Sequence, residues 1–74
     1  MPVAKIAVSA ASYWLDRPYD YAVPASLAGA AVPGARVTVP FGRGNRPAEG
    51  VVLSITGESE YAKLKSVGAV LDAS

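Results

Sequence analysis

The residues best suited to chemistry in this 74-residue sequence are an acid between two tyrosines, Tyr19-Asp20-Tyr21, and a scatter of cations downstream, Arg43, Arg46 and Lys65. One Trp, one Phe and four Tyr are a dense aromatic set for so short a chain. Tyr13, Trp14, Tyr19, Tyr21, Phe41 and Tyr61 either fill a core or wall an exposed groove, since aromatic rings serve both purposes. In a groove, a ring is a stacking platform worth about 1–3 kcal/mol per nucleobase. An acid beside such a platform suits a hydrogen bond from a sugar hydroxyl or a base edge, not a phosphate. The structural alternative for Asp20 is an edge-strand ion pair with Arg17 or Arg36. Arg43 and Arg46 read as a solvated hairpin tip or as phosphate contacts. Two such contacts lower log K by about 1.4 per tenfold rise in salt on a single strand.

Other chemistries are excluded by what the sequence lacks. Without His there is no His general base, no Ser-His pair and no His-ligated zinc, and without Cys there is neither a disulfide nor a thiolate metal site. Gly42-Arg43-Gly44-Asn45-Arg46-Pro47 begins like a phosphate-binding GxGxxG loop, but Pro47 stands where the third Gly belongs and no helix follows. The acids Asp16, Asp20, Glu49, Glu58, Glu60 and Asp72 show no spacing that compels a catalytic pair or a hard-cation loop. No catalytic residue and no metal ligand is assigned. A formal charge of +1 gives no broad electrostatic footprint for duplex DNA. The expectation is a binding module, not an enzyme.

The elements that must position these residues follow from pattern. With 51% hydrophobic and 18% charged residues the chain is too apolar for a disordered tail, and its length fits one domain, residues 1–74. Lys5, Ser9 and Ser12 interrupt the apolar N-terminal stretch, which argues against a signal peptide. No run approaches the roughly 18 apolar residues of a membrane span, so no membrane partner is expected, and the absence of Cys is compatible with the cytoplasm. Val3 to Val8 alternates as a strand, with Ala4, Ile6 and Val8 on one face and Lys5 on the other. Tyr19 to Val23 is a second strand, stopped by Pro24, with Tyr19, Tyr21 and Val23 opposite Asp20. A helical turn is expected within Ala25–Ala31 and a tight turn at Pro33-Gly34. Arg36 to Phe41 is a third strand in which Val37, Val39 and Phe41 share a face, and Pro40 puts it at an edge or at its end. A polar loop over Gly42–Glu49 leads to a fourth strand, Gly50–Ile55, with Val51, Leu53 and Ile55 alternating. The tail fits a helix loosely; Gly68 and the β-branched Val67 and Val70 favour a turn near Ser59–Lys63 and a strand over Lys65–Leu71. The fold expected is mainly β with little helix, a small curled sheet or partly open β-barrel of four to five short strands.

The sequence resembles the N-terminal domain of the PriA replication-restart helicase family (primosomal protein N′). The pieces that carry the resemblance are Pro2-Val3-Ala4 with Ile6-Ala7-Val8, Tyr19-Asp20-Tyr21-Ala22-Val23-Pro24, and the run from Pro33-Gly34 through Arg36-Val37-Thr38-Val39-Pro40-Phe41-Gly42. Gly50-Val51-Val52 and the tail Leu64-Lys65-Ser66-Val67 with Val70-Leu71-Asp72 complete it. Their order and approximate spacing hold along nearly the whole chain. The resemblance implies recognition of the 3′-hydroxyl end of a DNA strand, as presented by the nascent leading strand at a stalled replication fork. It implies a pocket of Tyr19, Asp20, Tyr21, Gly42 and Lys65, in which Tyr19 stacks a base and Asp20 accepts from the terminal nucleotide. Gly42 would allow close approach and Lys65 would supply a positive contact. The segment from Ser9 to Pro18 departs from the family pattern, being longer and lacking its Pro-Leu, which leaves Tyr13-Trp14 unplaced.

The resemblance further implies a longer bacterial, cytoplasmic, fork-associated chain. Its winged-helix domain, ATP-dependent motor lobes and zinc-binding insertion lie outside these residues, and its partners are DNA, primosome proteins and single-strand-binding proteins. No cofactor is expected in this part of the chain. The alternative reading is an SH3-like barrel that binds a peptide in its aromatic groove or docks other domains of its own chain.

Overall fold

Alternating apolar residues interrupted by Gly and Pro turns fold into one five-stranded sheet. The computed structural model describes residues 2–9, 18–57 and 63–72. Its strands are β1 (Val3–Val8), β2 (Tyr19–Ala22), β3 (Arg36–Phe41), β4 (Arg46–Thr56) and β5 (Ala69–Asp72), with a 3-10 turn at Ala25–Leu27 between β2 and β3. The order across the sheet is β2-β1-β4-β3-β5, and every neighbouring pair is antiparallel. The expected turn near Ser59–Lys63 falls largely on 59–62, outside the described residues, and among the described residues no helix is long and apolar enough to cross a membrane.

The core is built from one face of this sheet. Ala4, Ile6 and Val8 of β1 are all fully buried there, as the alternation predicts, and meet Val37 and Val39 of β3 and Val52 of β4. Val3 and Ala7, on the opposite face of β1, are buried as well. Gly50 faces the core between β1 and β3, opposite Val8 and Val37. A Cβ at that position would stand 2.6 Å from Ile6 Cγ2 and 2.9 Å from the Ala7 carbonyl oxygen. Glycine is what lets the β-branched side chain of Ile6 lie across β4.

The two far ends of the sheet approach each other through residues 65–68. The Ala22 amide donates to the Lys65 carbonyl at 2.9 Å, the Val67 amide to the Ala22 carbonyl at 3.0 Å, and the Gly68 amide to the Thr38 carbonyl at 2.8 Å. A single parallel bridge, Ala22 with Ser66, marks this seam. The sheet is curled and unclosed, with a short segment spanning its opening.

Three local expectations are corrected. The loop after β3 is the four-residue turn 42–45, not Gly42–Glu49, because positive φ at Gly42 (74°) and Asn45 (49°) turns the chain at once and lets Phe41 pair with Arg46. In β4 the inward residues are Gly50 and Val52, not Val51, Leu53 and Ile55. The register slips between Lys5 and Ile6, leaving Leu53 as the extra residue, and Leu53 and Ile55 stand 44% and 38% exposed. The tail strand begins at Ala69, not Lys65, since residues 65–68 are occupied in crossing from β2 to β3. The helical turn falls at Ala25–Leu27, inside the expected span. Pro40 stands near the end of β3, beyond Thr38, where β5 no longer pairs, and opposite Pro47, so neither strand leaves an amide unpaired at that rung.

Candidate nucleic-acid interface

β2 is short and lies at one edge of the sheet, and its alternation gives its first three side chains different surroundings. Tyr19 is 43% exposed. Its ring meets Phe41 edge to face, with centroids 5.3 Å apart and planes at 86°, the arrangement aromatic quadrupoles prefer. One face of a stacking wall is thereby fixed at the end of β3. Tyr21 is 3% exposed and its hydroxyl donates to the Pro40 carbonyl at 2.8 Å. Burial, reinforced by the neighbouring Tyr19, pushes the Tyr21 phenol above its ordinary value, which keeps the proton on the donor. Tyr21 is therefore a brace between β2 and β3 more than a stacking surface.

Asp20 points the other way and pairs with Lys5, whose ammonium donates to Oδ1 at 3.0 Å; the Asp20 side chain is only 8% exposed and that of Lys5 46%. This partner replaces the expected Arg36. Lys5 is the direct cross-strand neighbour of Asp20, whereas β1 and β4 stand between β2 and Arg36 on β3. Arg36 instead donates to Asp72 at 2.8 Å and lies 3.6 Å from Glu49. Arg17 lies outside the described residues.

Gly42 and Lys65 meet directly. The Lys65 ammonium donates to the Gly42 carbonyl at 2.7 Å, and the Asn45 amide reaches the same oxygen at 3.2 Å. Both lone pairs of that carbonyl are thus engaged. The backbone of Lys65 is held to β2 through Ala22, so its side chain ties the edge strand to the β3–β4 turn.

These pieces surround one open cavity of about 630 Å3. Tyr19, Asp20, Tyr21, Gly42 and Lys65 all line it, and its size falls within the roughly 300–1,000 Å3 typical of small-ligand sites. The structure adds Phe41 and Leu64 to the apolar wall, Lys63 to its charge, and Pro18. Phe41 belongs to the aromatic set the sequence offers for a groove wall, whereas Pro18, Lys63 and Leu64 only adjoin a singled-out residue or lie two positions from one. Arg43 and Arg46 are exposed on the hairpin and do not line the cavity. Tyr13, Trp14 and Tyr61 lie outside the described residues. Among the described residues, no group of three or more metal-ligating side chains comes together.

The lining supplies an exposed ring for stacking, one acid already paired with Lys5, and two lysines, of which Lys65 is engaged by the Gly42 carbonyl. The site is an open cleft of small-ligand size on a small β module. The chain belongs to the 3′ DNA-binding domain (3′BD) family of PriA, whose family model matches residues 5–74. No curated protein matches it. Membership makes it a DNA-binding module for 3′ ends rather than a catalyst.

Proposed function

We propose that the cavity receives the terminal nucleotide of a DNA strand at its free 3′-hydroxyl, and that the domain serves replication restart by holding the nascent leading strand at a stalled fork. The observation that supports this most is the convergence of Tyr19, Asp20, Gly42 and Lys65 on one open cavity of about 630 Å3 in a chain of the 3′ DNA-binding domain family. Tyr19 stacks the terminal base. Asp20 accepts from the sugar hydroxyl, since the Gly42 carbonyl is already doubly engaged. Stacking and hydroxyl contacts carry little sequence information, so any of the four bases fits.

The magnitudes describe a weak module. One stacked base contributes about 1–3 kcal/mol and each charge-assisted hydrogen bond about 1.5–3 kcal/mol. After association costs, micromolar affinity or weaker follows, about −8 kcal/mol or less favourable. Tethering to stronger DNA-binding domains of a longer helicase-type chain in the bacterial cytoplasm raises its effective concentration. On this reading the ATP and zinc chemistry belongs to those other domains, as do contacts with primosome and single-strand-binding proteins.

Tyr19→Ala and Asp20→Ala test the reading. Each is expected to weaken binding of a short 3′-hydroxyl strand about tenfold or more, corresponding to the loss of one stack or one charge-assisted bond, with the circular dichroism of the sheet retained. Unchanged affinity in both variants would remove the cavity from the function.

A further inference from the structure

Three charged residues line the cavity, and two are committed. The Asp20 carboxylate is held by Lys5 at 3.0 Å. The Lys65 ammonium is held by the Gly42 carbonyl at 2.7 Å. Lys63 lines the same cavity, is exposed, and has no ion-pair or hydrogen-bond partner among the described residues.

We propose that Lys63 is the residue that grips the phosphate on the 5′ side of the bound terminal nucleotide, and that Lys65 is a positioning residue acting through the Gly42 carbonyl. The inference rests on the strand-end reading above and divides its basic contacts between two lysines. An ammonium anchored on a carbonyl has oriented one of its three protons and given up side-chain freedom to do so. Moving away from the wall toward a strand phosphate would strain or break that bond. It would also release the turn at Gly42, whose carbonyl Lys65 holds. Lys63 has no bond to break. A strand end carries its hydroxyl on one side of the sugar and its nearest phosphate on the other. With Asp20 as the hydroxyl acceptor, a free cation elsewhere on the wall supplies the complementary contact.

The two roles differ in how they respond to salt. A phosphate contact releases counterions, so each one removed lowers the slope of log K against log salt by about 0.7 on a single strand. Binding of a labelled DNA strand with a 3′-hydroxyl end, titrated across salt concentrations, is compared for the parent chain, Lys63→Gln, Lys63→Arg and Lys65→Gln. Lys63→Gln is expected to lower the slope by about 0.7 while leaving the preference for 3′-hydroxyl over 3′-phosphate ends intact, and Lys63→Arg to restore the slope. Lys65→Gln is expected to weaken binding at every salt concentration with the parental slope. A parental slope in Lys63→Gln, or loss of slope in Lys65→Gln instead, overturns the assignment while the strand-end reading stands. A parent chain with no preference for the 3′-hydroxyl overturns both.

Discussion

The Tyr21 hydroxyl, donating at 2.8 Å from a ring only 3% exposed, ties the edge strand to the carbonyl of Pro40, where β3 has lost its β5 neighbour. Tyr21→Phe removes that bond and is expected to cost about 0.5–1.5 kcal/mol in urea unfolding. Its pH dependence has a definite sign. Burial raises the folded-state phenol above 10.0, its ordinary value. Below that value both states keep the proton and the contribution is complete. As pH rises between the unfolded and the raised folded value, the unfolded chain releases its proton first and stability falls. Parent stability should decline above about pH 10, and part of that decline should vanish in Tyr21→Phe; identical alkaline profiles would mean that Tyr21 is not buried as described. Alternation along Tyr19-Asp20-Tyr21 was enough to put the two rings on one face and the acid on the other. It did not tell the exposed ring from the buried one, because that depends on where the curled sheet opens. Nor did it name Lys5, whose pairing with Asp20 comes from the β1–β2 register.

At the scale of elements, β1 and β3 begin and end where the hydrophobic pattern places them, and β2 runs one residue short of it, since each carries its own period-2 signal and a Pro or Gly stop. β4 and β5 do not, for a shared reason: their bounds are set by partners distant in sequence. The four-residue turn at 42–45 draws Arg46–Glu49 into β4, and the crossing from Ala22 to Thr38 delays β5 to Ala69. The slip at Leu53 is a property of the β1–β4 pair and leaves no mark in β4 alone. Gly50 makes that register testable. Alanine favours strand propensity over glycine, but here its Cβ would stand 2.9 Å from the rigid Ala7 carbonyl and 2.6 Å from Ile6. The clash wins, and Gly50→Ala is expected to destabilise by about 1–3 kcal/mol in chemical denaturation; an unchanged midpoint would contradict the register.

For the whole molecule, the cavity sits at the seam of the unclosed sheet, walled by the β2 edge, the β3–β4 turn and residues 63–65. That position explains why the site is assembled from three stretches far apart in sequence. It also explains why Lys63 escapes a reading of the chain alone, and why Phe41, named in the aromatic set, could not be assigned to groove rather than core: nothing local to either announces the opening it faces. A formal charge of +1 leaves little long-range attraction for DNA, so affinity has to come from the terminal nucleotide itself. The most direct measurement is fluorescence anisotropy with short labelled strands that differ only in a 3′-hydroxyl or a 3′-phosphate, beside a pair that differs only at the 5′ end. A clear preference for the free 3′-hydroxyl, indifference to the 5′ group and a shallow salt slope are the predicted results. Equal binding of both 3′ forms, or no binding at high micromolar protein, would contradict recognition of the strand end.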